Sequence, residues 1–192
     1  MIKKIIILLI VQSLSIGINV HGQFVNIPDA NFRTWLNNNG FASCMSGSMM
    51  DTTCAPIVNA TKVNCQQSNI SNITGIQYFD NLDTLICGNQ SITFLPPIHA
   101  SLLYLKAGGN NYLTTIANFP PSLLLIDIGL SSNVINLTSI PPFPPGLTYL
   151  NCSGWKQHTL PALPSTLTYL NCSDNPLYTL PALPPGLTFL SC

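Results

Sequence analysis

The sequence predicts an open solenoid of stacked turns, each about twenty residues long, built on short parallel strands and closed at its start by a small helical cap. Three observations carry that expectation. A six-residue frame recurs as Leu147-Thr-Tyr-Leu-Asn-Cys152, Leu167-Thr-Tyr-Leu-Asn-Cys172 and Leu187-Thr-Phe-Leu-Ser-Cys192. Between the frames the chain is Pro-rich; 16 Pro and 12 Gly in 192 residues break it too often for long helices or coiled coils. Ahead of the frames, Asn26 to Leu36 is the one stretch with helical periodicity.

Composition narrows the function classes. Lys+Arg 6 balance Asp+Glu 6, and charged residues make up only 6%. No basic patch is available for nucleic acid, and no charge excess for another strongly electrostatic partner. A hydrophobic share of 46% excludes disorder and supplies a core.

Residues 1–22 read as a signal peptide. Lys3 and Lys4 precede an apolar run from Ile5 to Val11 that continues, diluted by Gln12, Ser13 and Ser15, to Ile18. The run falls well short of the roughly 20 consecutive apolar residues of a membrane span. Cleavage is expected after Gly22, with Val20 at minus three; an uncleaved anchor is the alternative. No cysteine follows that point to carry a lipid. Export leaves 4 basic and 6 acidic residues, no membrane span, and an environment that permits disulfides.

Residues 23–59 form the expected cap. Phe32, Trp35 and Leu36 share one helical face, with Pro28 in the first turn and a stop at Asn39-Gly40. Cys44 and Cys54 flank a loop with little else to hold it, and a disulfide between them is the economical reading. Closing so short a loop stabilises by somewhat under about 3 kcal/mol on the chain-entropy model. Two unpaired thiols are the alternative.

Residues 60–192 are the repeats. Frames start at Ala60, Leu82, Leu102, Leu123, Leu147, Leu167 and Leu187, with spacings of 22, 20, 21, 24, 20 and 20: six repeats and a partial seventh. A second apolar pair follows most starts, as in Ile73/Ile76, Leu95/Ile98, Leu160/Leu163 and Leu180/Leu183. Each repeat offers about six apolar side chains at roughly 1.5–3 kcal/mol apiece. Against these stands about 1.5 kcal/mol of ordering entropy for each of some twenty residues. One repeat cannot fold alone, so neighbours must share apolar layers. The long repeat from Leu123 is expected to bulge over Gly129–Asn136. The chain reaches Cys192 in mid-repeat, still within a strand, which predicts an open edge and a fragment of a longer protein.

This pattern resembles the leucine-rich repeat family, whose L-x-x-L-x-L-x-x-N/C-x-L core is here L-x-x-L-x-C followed by a Pro-rich return. The returns Leu160-Pro-Ala-Leu-Pro and Leu180-Pro-Ala-Leu-Pro resemble the short bacterial subclass, whose convex side is extended, polyproline-like backbone. Cap plus repeats, over residues 24 to 192, is similar to internalin-like bacterial surface proteins. The resemblance implies a leucine-rich-repeat solenoid of the α/β class: a curved right-handed coil with a concave parallel sheet. It also implies a buried asparagine ladder. Here that position is Asn only at Asn110 and Asn175 and otherwise Ser68, Gln90, Ser131 and Trp155, so an interrupted ladder is expected.

Cys65, Cys87, Cys152, Cys172 and Cys192 share one inward frame position, which argues for packed free thiols. A metal or redox ladder is disfavoured: there is no CxxC, and His99 and His158 fall on the returns. The scattered aspartates, Asp80 and Asp83 included, fall short of a calcium ligand set. No nucleophile elbow, HExxH or phosphate loop occurs. We therefore expect no catalytic residues, no cofactor and no metal, hence not an enzyme.

The outward strand positions are the better candidate. With the first, fourth and sixth frame positions inward, the third and fifth point out. The third reads Thr84, Tyr104, Leu125, Tyr149, Tyr169, Phe189 and the fifth Ile86, Lys106, Asp127, Asn151, Asn171, Ser191. Aromatic rings beside short polar groups suit protein binding, and Tyr104, Lys106, Leu125, Asp127, Tyr149, Asn151, Tyr169, Asn171 and Phe189 are the expected contacts. The competing reading is that the rings merely stack on one another. The expected role is a secreted or cell-surface protein that binds another protein, of a host or a cell surface, on its concave face. The alternative is the recognition segment of a larger secreted enzyme or effector.

Overall fold

The structure is a computed structural model and describes residues 23–130 and 137–192. The signal peptide expected over 1–22, and all of the expected bulge beyond Leu130, lie outside the described residues.

The cap begins with β1 (Phe24–Asn26) and α1 (Ala30–Asn38), followed by β2 (Met45–Ser46), β3 (Met49–Asp51) and α2 (Ala55–Val58). Strands β1, β3 and β2 pair antiparallel in that order. Asp29 caps α1: its Oδ1 accepts the Phe32 N–H at 2.9 Å, as a short acceptor side chain does at a helix start. Pro28 therefore stands one residue outside the cap rather than in the first turn. The same carboxylate holds the first repeat. Its Oδ2 accepts from the Ser71 N–H at 2.8 Å, the Ser71 hydroxyl at 2.7 Å and the Asn72 N–H at 3.1 Å. Burial opposes the charge on Asp29, but these donors outweigh it and hold the pKa below the usual carboxylate value. Packing closes the same joint. Phe32 and Leu36 are fully buried, and the Phe41 ring meets Phe79 of the first return edge-on at 5.3 Å. Gly75 has φ +115, and a Cβ there would lie 2.4 Å from Cδ1 of Ile27. Only glycine allows both the turn and that approach. Cys44 and Cys54 are joined by a disulfide, with Cα atoms 5.5 Å apart.

Seven repeats each contribute one three-residue strand: β4 (Lys62–Asn64), β5 (Thr84–Ile86), β7 (Tyr104–Lys106), β9 (Leu125–Asp127), β10 (Tyr149–Asn151), β11 (Tyr169–Asn171) and β12 (Phe189–Ser191). They form one parallel sheet in chain order. Val63, Leu85, Leu105, Ile126, Leu150, Leu170 and Leu190 align in register at its centre. The frame leucines Leu82, Leu102, Leu123, Leu147 and Leu167 are fully buried beneath it. This is a β-solenoid of about six turns. Its returns are extended, apart from a 3-10 turn at Ile76–Tyr78 and a two-strand parallel ribbon of β6 (Phe94–Leu95) with β8 (Thr115–Ile116).

The expected break in the asparagine ladder does not occur at Gln90 or Trp155. Asn110 donates through Nδ2 to the carbonyls of Cys87 and Ala107 at 2.9 and 2.7 Å and accepts the Ile92 N–H at 3.1 Å. Gln90 donates to the Cys65 carbonyl and accepts from Ile70 at 2.9 Å. Trp155, fully buried, donates Nε1–H to the Ile128 carbonyl at 2.7 Å. A turn with buried carbonyls needs a donor, and a longer amide or an indole reaches the same place. Ser131 lies outside the described residues.

Candidate functional site

Each repeat strand from β4 to β11 buries its middle side chain and turns the flanking two outward, and Leu190 of β12, at the open edge, is 39% exposed; register aligns both outward positions into ladders. One ladder runs Lys62, Thr84, Tyr104, Leu125, Tyr149, Tyr169, Phe189; the other runs Asn64, Ile86, Lys106, Asp127, Asn151, Asn171, Ser191. All nine residues expected to contact a partner therefore stand on one face.

Along the first ladder the rings divide into two environments. Tyr149 and Tyr169 stack at 4.2 Å with planes 8° apart, and Tyr169 and Phe189 at 4.3 Å and 3°. Their inner faces cover one another. Desolvation, the Tyr169 hydroxyl and the Asp127 carboxylate push the Tyr149 phenol up to about 12, so it stays a neutral donor at physiological pH. Tyr104 differs not in exposure, since it is 41% exposed against 43% for Phe189, but in having, among the described residues, no ring stacked against it.

The second ladder also divides. In β4, β10 and β11 the side-chain oxygen of Asn64, Asn151 or Asn171 accepts the backbone N–H two residues on, from Gln66 at 3.4 Å, Ser153 at 3.2 Å and Ser173 at 3.1 Å. The intervening rungs carry Ile86, Lys106 and Asp127 there, and glycine two residues on, at Gly88, Gly108 and Gly129. Close backbone approach explains the glycines, since a Cβ on Gly88 would lie 2.8 Å from the Gly108 carbonyl oxygen. A cavity of about 230 Å³ opens here, lined by Gln66, Ile86, Gly88, Asn89, Lys106, Gly108 and Asp127. Sequence reading named Lys106 and Asp127 but missed the glycines. The pairing of a non-Asn fifth position with Gly two residues later was the available signal.

The thiols of Cys65, Cys87, Cys152 and Cys172 are free and buried, and Cys192 is free and exposed. Desolvation pushes Cys65 up to about 12 and raises Cys87 and Cys172. Buried thiols held protonated are packing groups rather than nucleophiles. Among the described residues no cluster of three or more His, Cys or Asp side chains could hold a metal ion, and no helix is long and apolar enough to cross a membrane.

The architecture is that of a leucine-rich-repeat solenoid. Among solved structures, YopM from Yersinia enterocolitica WA-314 is 32% identical with a TM-score of 0.54, over 58% of this chain and 24% of that one. YopM from Yersinia pestis, titled a leucine-rich effector protein, is 26% identical with a TM-score of 0.36, over 60% and 44%. The functional domain of InlJ from Listeria monocytogenes, titled as including a cysteine ladder, is 22% identical with a TM-score of 0.40, over 89% and 48%. The chain is thus similar to bacterial leucine-rich-repeat proteins and spans from about a quarter to about half of their length. No family model and no curated protein matches it.

Proposed function

We propose that this chain is an exported, non-catalytic bacterial leucine-rich-repeat protein that captures another protein, on a host or a cell surface, with its concave strand face. The observation that carries the reading is Tyr104, a large ring left 41% exposed and unstacked in the middle of an in-register face. Rigid aromatic area beside polar neighbours is the usual anchor of a protein interface. Lys106 on the same rung, and Leu125 and Asp127 on the next, stand beside that ring. The edges of Tyr149, Tyr169 and Phe189, with Asn151 and Asn171 beside them, extend the face. The Cys44–Cys54 disulfide supports export, since such bonds persist in oxidising compartments. The experiment is partner capture from surface extracts with Tyr104→Ala and, separately, Tyr149→Ala plus Tyr169→Ala, each checked for folding by circular dichroism. Loss of capture by folded Tyr104→Ala is expected. Full capture by both folded variants would end the reading.

A further inference from the structure

Three backbone donors on the strand face have no acceptor among the described residues. Among the described residues, no acceptor is in hydrogen-bonding geometry with the N–H of Gly88, Gly108 or Gly129, although the carbonyls of all three accept from the preceding rung. Gly88 is buried and Gly108 half-buried, and an unpaired buried N–H is rare enough to require an explanation. The rest of the solenoid indicates what is missing. Where the fifth position is asparagine, its carboxamide oxygen takes the equivalent N–H of Gln66, Ser153 or Ser173. Ile86 and Lys106 carry no such acceptor, and no other described residue supplies an oxygen to Gly88 or Gly108, which leaves both donors open to a ligand.

Charge identifies that ligand. Lys106 is exposed beside these amides and, among the described residues, its ammonium has no hydrogen-bond or ion-pair partner. Two N–H donors one rung apart, about 4.8 Å, with an ammonium beside them suit the two oxygens of a carboxylate. Asp127 lines the same cavity, and its Oδ1 already accepts Nδ2 of Asn151 at 2.9 Å. That negative charge disfavours a dianion such as phosphate but welcomes an N–H. A carboxylate with amide N–H groups close by is an acidic residue within a peptide.

We propose that the Gly88–Gly108–Lys106 cradle receives the side-chain carboxylate of an Asp or Glu in an extended segment of the partner protein, with Asp127 accepting a peptide N–H of that segment. This rests on the strand-face reading above and deepens it. The probe is blocked glutamate, N-acetyl-glutamate N-methylamide, titrated into isotope-labelled chain while amide resonances are followed. Expected are saturable downfield shifts at Gly88 and Gly108, with an apparent Kd on the order of 1 mM, weakened about tenfold in Lys106→Ala. Ile86→Asn, which installs the acceptor that Asn64 provides one rung earlier, should abolish the Gly88 response in a chain whose other resonances show it folded. No shift at either glycine, equal shifts from blocked glutamine, or an unaltered response in Lys106→Ala would overturn the cradle. Such a failure, with capture still lost in Tyr104→Ala, would leave the strand-face reading standing. Capture unaffected by the ring substitutions would remove that reading instead.

Discussion

Replacing Tyr169 by alanine removes the middle ring of a three-ring stack and so separates a structural role from an adhesive one. Tyr169 lies 4.2 Å from Tyr149 and 4.3 Å from Phe189, nearly parallel to both. Each offset ring pair contributes about 0.5–1.5 kcal/mol beyond its buried area, so Tyr169→Ala should cost about 1–3 kcal/mol. Tyr104 has no such pair and is 41% exposed, so Tyr104→Ala should cost under about 1 kcal/mol, as surface changes do. With a urea slope of about 2 kcal/mol per molar, the first midpoint should fall by about 0.5–1.5 M and the second by less than about 0.5 M. Tryptophan fluorescence from the buried Trp155 and circular dichroism together report the transition and whether it is two-state. Equal midpoint shifts, or a larger one for Tyr104→Ala, would refute the division of the ladder into stacked and free rings.

Three other outcomes follow from the same contacts. Asn110→Ala leaves three buried backbone groups without a partner; at about 1–3 kcal/mol each it should cost about 3 kcal/mol or more, seen in thermal unfolding and in faster hydrogen exchange at Ile92. The pKa of Asp29 is lower folded than unfolded, so its contribution is complete above the ordinary carboxylate pKa, near about 3.9, and is lost as pH falls through the folded value. Urea midpoints below about pH 4 should therefore decline less steeply in Asp29→Asn than in the native chain. In the native protein a thiol reagent at mildly alkaline pH should modify Cys192 and spare Cys65 and Cys87, whose burial keeps them protonated; peptide mapping without reductant should recover Cys44 linked to Cys54.

The solenoid was legible in the sequence because its determinants are periodic. A leucine every twenty or so residues and a cysteine five later leave one way to align the rungs, and the structure aligns Leu150 with Leu170 and Leu190 accordingly. The Cys44–Cys54 pairing was legible for the opposite reason: both residues fall outside that register. Functional equivalence without chemical likeness was not legible. Gln90 and Trp155 fill the asparagine position because only one N–H at one place is needed, and an amide or an indole can bring it there. The cap strands β1, β2 and β3 are two or three residues long, too short for an alternating pattern to register. Whether the outward rings stack depends on side-chain rotamers, which spacing alone does not set. Asp29 gave no sequence sign of reaching forty-odd residues ahead to Ser71 and Asn72.

The two halves of the solenoid satisfy themselves to different degrees, and that difference bears on function. In β10 and β11 each rung closes its own valences: rings cover rings, Asn151 and Asn171 take the amides of Ser153 and Ser173, and the Thr168 and Thr188 hydroxyls donate to the preceding Thr148 and Thr168 carbonyls at 3.0 and 2.9 Å. In β5, β7 and β9 the same scaffold carries Ile86, Lys106 and Asp127 and, among the described residues, an unstacked Tyr104 and glycine amides without acceptors. The strands pair in unbroken register, so the sheet does not require Ile86, Lys106 or Asp127 at these outward positions, although close backbone approach requires the glycines. A repeat that leaves donors, a cation and a ring unpartnered among the described residues gives up stability locally, and under the reading proposed above a bound partner is what restores it.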